Sequence, residues 1–129
     1  MNFQTAIVPG SRRVVIVEDE LLVALDLEDI LRDNGLDVVG IVAERSGLAD
    51  LSGPPEVALV DINLKDGPTG NSIAADLADR FGTQIIFVTA NPDQIAHPPS
   101  TTVGCVPKPF RSETIMVAVQ QALGRHPHH

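Results

Sequence analysis

The sequence predicts an α/β fold, a doubly wound parallel sheet of five strands with helices on both faces. Five short apolar runs are continuous rather than alternating, as strands buried on both faces are. Between them, apolar residues recur at the helical period. Runs and stripes alternate along the chain, the pattern of a sheet sandwiched by helices. Right-handed crossovers then leave the doubly wound sheet as the simplest topology.

The first run, Val14 to Val17, stops at Glu18, Asp19 and Glu20. Val23, Leu27, Ile30 and Leu31 come next at helical spacing, and Gly35 offers a stop. Residues 37–42, DVVGIV, form a second, β-branched run. A weak helix over 44–51 is expected next, diluted by Ser46 and Gly47. VALV at 57–60 is a third strand and ends at Asp61. DGPTG at 66–70 is turn chemistry. Ile73, Ala74, Leu77, Ala78 and Phe81 then make an amphipathic stripe that Gly82 stops. QIIFV at 84–88 is the fourth strand. A full fourth helix is not expected, because NPDQIAHPPS holds three prolines in ten residues and proline inside a helix costs about 3 kcal/mol. One turn and an irregular loop are expected there. Residues 103–106 form a short fifth strand, and Ile115, Ala118, Val119 and Ala122 line a last helix with Gly124 just beyond it.

The chain has 129 residues, enough for one domain and not for two. The expected division is an N-terminal extension over 1–12, one domain over 13–124 and a His-rich tail over 125–129. Nine basic residues against 17 acidic ones give a net charge of −8, which offers no bulk attraction to nucleic acid. The single Cys105 suits a reducing compartment. No apolar run is long enough to span a membrane, and MNFQTAIVPGSRR lacks the pattern of a signal peptide. A cytoplasmic location is therefore expected.

The chemistry lies at the carboxyl ends of the strands. Strand one ends in Glu18 and Asp19, strand three in Asp61 and strand four in Thr89, while strand five runs to Lys108. In a parallel sheet all of these lie at the carboxyl edge, where open α/β folds bind ligands. Taken singly, Asp19 could cap a helix, Asp61 could open a loop, Thr89 is commonplace and Lys108 could be solvated. The joint pattern is what carries weight. Three clustered carboxylates repel one another unless a cation lies between them, and hard oxygen donors favour Mg²⁺.

VVIVEDE, VALVDINL, FVTA and PKPF stand in the order and spacing of the response-regulator receiver family, and residues 13–124 resemble such a domain. The resemblance implies a flavodoxin-like three-layer (βα)5 sandwich with sheet order 2-1-3-4-5. It implies that Asp61 is a nucleophile that accepts a phosphoryl group. Mg²⁺ would be held by Glu18, Asp19, Asp61 and the main-chain carbonyl of Asn63. Lys108 would pair with a phosphoryl oxygen and Thr89 would donate its hydroxyl to another. A sensor histidine kinase is the implied phosphodonor. With no output domain legible, the signal would pass to another, unknown protein, and the chain would catalyse only its own phosphorylation and dephosphorylation. TANPD at 89–93 and the segment 107–123 are similar to the receivers of alphaproteobacterial general-stress regulators.

Three other readings compete. A Mg²⁺-dependent aspartyl-phosphate phosphohydrolase generally needs a second acid where this chain has Asn63, and a cap that 129 residues leave no room for. A flavin mononucleotide carrier would meet Glu18, Asp19 and Glu20 where its phosphate loop belongs. A phosphorylation-independent binding module of the same shape would not need the intact set at 18, 19, 61, 89 and 108. The sequence also departs from the family pattern. Most receivers place an aromatic residue three positions before the lysine, and this chain has Cys105. Closure of Thr89 is therefore expected to move a loop, residues 90–104, that is mobile before activation and ordered after it.

Overall fold

The computed structural model describes residues 12–125. The expected N-terminal extension and His-rich tail lie, apart from Arg12 and Arg125, outside the described residues. In chain order the elements are β1 (Arg13–Val17), α1 (Leu21–Asp33), β2 (Asp37–Val42), a 3-10 helix (Arg45–Asp50), β3 (Val57–Val60), α2 (Gly70–Phe81), β4 (Gln84–Thr89), a 3-10 turn (Pro92–Gln94), β5 (Thr102–Pro107) and α3 (Ser112–Gly124).

All five strands are parallel and lie in the order β2-β1-β3-β4-β5. The central strands β1, β3 and β4 are buried almost throughout, which is why they read as unbroken aliphatic runs. The edge strands β2 and β5 both include exposed positions, and β5 buries only Val106. On one face of the sheet, Val14 and Ile16 of β1 meet Ala24, Leu27 and Leu31 of α1 and Ile115, Val119 and Ala122 of α3. On the other face, Val15, Val17, Val60 and Phe87 meet Ile73, Ala74 and Leu77 of α2. Each large aliphatic side chain so buried contributes about 1.5–3 kcal/mol.

The helix faces differ slightly from expectation. Ala24 rather than Val23 joins Leu27, Ile30 and Leu31 on the buried stripe of α1. Phe81 lies at the exposed rim of α2, 37% accessible, and leaves the core. The weak second helix is a 3-10 segment with no buried residue. The proline-rich fourth connection keeps a single 3-10 turn, as the loss of helix-compatible positions dictates.

The register aligns the carboxyl ends. Val17 pairs with Val60, which sets Glu18 beside Asp61. Thr89 pairs with Pro107, and the Lys108 amide donates to the Thr89 carbonyl at 3.0 Å.

Candidate functional site

The pocket at this edge is built from four strand ends. The Glu18 amide donates to the Val42 carbonyl and the Asp61 amide to the Val17 carbonyl, both at 2.8 Å, so the ladder continues through both acids. Below Asp61, α2 begins on a glycine for a steric reason. A Cβ at Gly70 would lie 2.0 Å from the Asp61 carbonyl oxygen and 2.6 Å from the Ile62 Cα. The helix thus packs directly on the backbone that carries Asp61.

One carboxylate oxygen from each of Glu18, Asp19 and Asp61 lies within 4.8 Å of the others. Lys108 reaches into this group. Its Nζ is 2.8 Å from Glu18 Oε1, 2.9 Å from Asp61 Oδ2 and 3.2 Å from Glu20 Oε1. The lysine follows β5, and the Lys108–Pro109 peptide is cis. Asp61 also accepts from the Ile62 amide through Oδ1 at 2.7 Å, leaving Oδ2 for the ammonium.

Burial and charge compete here. Burial pushes the Glu18 carboxyl above its ordinary value, although the hydrogen bonds from Lys108 and the Glu20 amide and the lysine charge oppose it. Burial alone would lower Lys108, but its hydrogen bonds to Glu18 and Asp61 and their charges hold it well above its ordinary value. One ammonium among the carboxylates of Glu18, Asp19, Glu20 and Asp61 leaves the pocket anionic. Three hard oxygen donors converging on one point fit a small divalent cation such as Mg²⁺, whose shell waters complete.

The structure therefore brings together Glu18, Asp19, Asp61 and Lys108. Thr89 lies beside them at the end of β4, fully buried, with Oγ1 accepting from the Asn91 amide at 3.1 Å. The Asn63 side chain donates through Nδ2 to Gln94 Oε1 at 2.8 Å. Two features escape the sequence reading. Glu20 is visible there as the end of an acidic run, but its contact with Lys108 is not. The pairing of Asn63 with Gln94 joins residues on separate loops and has no local signal. The loop after β4, where a mobile segment is expected, makes two hydrogen bonds to α2. Asn71 Nδ2 donates to the Gln94 carbonyl at 3.0 Å, and the Ala96 amide donates to Asn71 Oδ1 at 3.1 Å.

No family model matches the chain. Individual relatives do. It is 32% identical over 114 residues to the phyllosphere-induced regulator PhyR of Methylorubrum extorquens, covering 85% of this chain and 43% of that protein. It is 27% identical over 119 residues to the transcriptional regulatory protein PdtaR of Mycobacterium tuberculosis, covering 88% of this chain and 58% of that one. The chain thus spans about half the length of these curated relatives. The solution structure of the PhyR response-regulator receiver domain from Erythrobacter litoralis superposes with a TM-score of 0.81 at 33% identity, covering 93% of this chain and 95% of that one.

Proposed function

This chain belongs to the response-regulator receiver family, and from that premise we propose that it accepts a phosphoryl group on Asp61 and signals by changing its surface. The observation that carries the reading is the position of Lys108, whose Nζ lies 2.9 Å from Asp61 Oδ2 in a pocket of acids. An ammonium held there balances charge that builds on a phosphoryl group arriving at that oxygen.

Asp61 acts as the nucleophile. Its Oδ2 attacks phosphorus, the bond to the donor breaks, and the donor's leaving group keeps the electron pair. The donor of the proposed reaction is the phosphohistidine of a sensor kinase, whose imidazole leaves and takes up a proton. Glu18, Asp19, Asp61 and the Asn63 carbonyl would hold Mg²⁺, which would neutralise these carboxylates and offset the charge of a phosphoryl oxygen. Lys108 binds a second oxygen of the group. Thr89 turns its hydroxyl to a third and draws the loop after β4 inward. The chain then works in the cytoplasm through contact with a downstream protein, turning over no substrate other than its own phosphoryl group. Among the described residues no helix is long and apolar enough to cross a membrane.

Acetyl phosphate with Mg²⁺ should add one phosphoryl mass to the intact chain. Asp61→Asn should abolish that addition. A phosphoryl mass retained by the variant would place the acceptor elsewhere, and none on the wild type would favour a binding module that is never phosphorylated.

A further inference from the structure

The loop after β3 leads directly from Asp61, and a polar network joins it to the loop after β4. Asn63, two residues beyond Asp61, donates its side-chain amide to Gln94 Oε1 at 2.8 Å. Gln94 ends the 3-10 turn, and its amide donates to the Asn91 carbonyl at 3.0 Å. Asn91 in turn donates its own amide to Thr89 Oγ1 at 3.1 Å. Asn71, in the first turn of α2, holds the turn from below through the Gln94 carbonyl and the Ala96 amide. Ile95 seals the same segment against the core on the α2 face. Hydrogen bonds and short stretches of backbone thus run from Thr89 through Asn91 and Gln94 to Asn63 and Asp61.

Asn63 and Gln94 are exposed, so water competes for both partners and the contact can open without loss of the fold. Its neutral amide pairing is also the part of the network that spans the two loops. In a chain with Cys105 exposed where an aromatic side chain is usual, this contact joins the Thr89 end of the site to the Asp61 end.

We infer that Gln94 is a positioning residue for phosphoryl chemistry at Asp61: through Asn63 it clamps the two loops together and limits the approach of an attacking group. The inference rests on the reading of Asp61 as the phosphoryl acceptor. The step it restrains is hydrolysis. A water oxygen bonds to phosphorus, the bond from phosphorus to the Asp61 oxygen breaks, Asp61 recovers its carboxylate, and the water's proton passes to solvent with inorganic phosphate. Asn71 acts on the same step by holding the turn that carries Gln94.

The test loads wild type, Gln94→Ala, Gln94→Glu and Asn71→Ala with acetyl phosphate and Mg²⁺, removes the donor, and follows loss of the phosphoryl mass. Hydrolysis is the readout because the attacking water is neutral, so the added charge of Gln94→Glu disturbs it little. Losing one exposed neutral hydrogen bond shifts an opening equilibrium about three- to tenfold. Gln94→Ala and Asn71→Ala are therefore expected to lose the phosphoryl group faster by about that factor. Gln94→Glu keeps an acceptor for Asn63 Nδ2 and should stay near the wild-type rate. A damaged fold would lower loading in Gln94→Ala; Asn71→Ala, which leaves the Gln94 side chain in place, then carries the same expectation. Wild-type decay in both alanine variants would overturn the clamp and leave Asp61 as the acceptor. Equally fast decay in Gln94→Glu and Gln94→Ala would also overturn it. Failure of the Asp61 reading shows earlier, as wild type that takes up no phosphoryl group, and takes the clamp with it.

Discussion

Lys108 carries most of the electrostatic logic of the site, because it is the cation that touches Glu18, Glu20 and Asp61 together. Glu18 is 1% exposed on its side chain and cannot shed its charge to water. Lys108→Met should therefore destabilise the metal-free protein by about 1–3 kcal/mol, the cost of buried charge left without its partner, and added Mg²⁺ should recover part of the loss. Thermal melting with and without the cation checks both. Glu18 also makes a pH prediction. Its carboxyl is raised from 4.5, so between that value and its folded value the native state holds more protons than the unfolded chain. The stability Glu18 contributes is full below 4.5 and is lost as pH rises through the folded value. Metal-free wild type should thus lose stability more steeply than Glu18→Gln as pH rises above 4.5. Parallel slopes would contradict the raised carboxyl. The five charged or hydroxyl residues of this pocket were legible in sequence because each lies at or just beyond the end of an aliphatic run. Glu20 was not, since an acidic run does not say which member turns toward a lysine 88 positions away.

At the scale of elements, strands are read more easily than the segments between them. VALV and QIIFV carry their burial in composition, and DVVGIV kept its predicted limits of 37–42. The connections depend on contacts far along the chain. Prolines predicted that no full fourth helix would form, but not that Asn71 and Asn63 would hold the remaining turn. DGPTG announced a turn without saying which glycine was indispensable. Gly70 is, because its missing Cβ lets α2 rest on the Asp61 carbonyl. Both neighbouring atoms are backbone, so neither can yield cheaply. Gly70→Ala should cost about 1–3 kcal/mol by overpacking and should displace Asp61. Gly104→Ala, with nothing within 4 Å of the added atom, serves as the control and should be far milder. Equal melting temperatures for the two variants would show that α2 can back away.

For the whole molecule, a net charge of −8 and an acidic pocket mean that the compact state works against its own charge. A divalent cation that binds only the folded chain stabilises it by mass action, by about 2.7 kcal/mol at a hundredfold excess over its Kd. Mg²⁺ should accordingly raise the melting temperature. Asp19→Asn should raise the melting temperature of the metal-free protein while weakening Mg²⁺ binding by calorimetry. Undiminished Mg²⁺ affinity in that variant would remove Asp19 from the metal site. All of these effects bear on one proposed event, the transfer of a phosphoryl group to the carboxylate at the end of β3. An aspartyl phosphate is reduced by borohydride to homoserine, whereas a free carboxylate or a phosphorylated serine or threonine is not. The most direct measurement is therefore peptide mass mapping after acetyl phosphate, Mg²⁺ and borohydride. The account predicts homoserine at position 61 and nowhere else. Homoserine at another aspartate, or unmodified Asp61 in a chain that has gained phosphoryl mass, would contradict it.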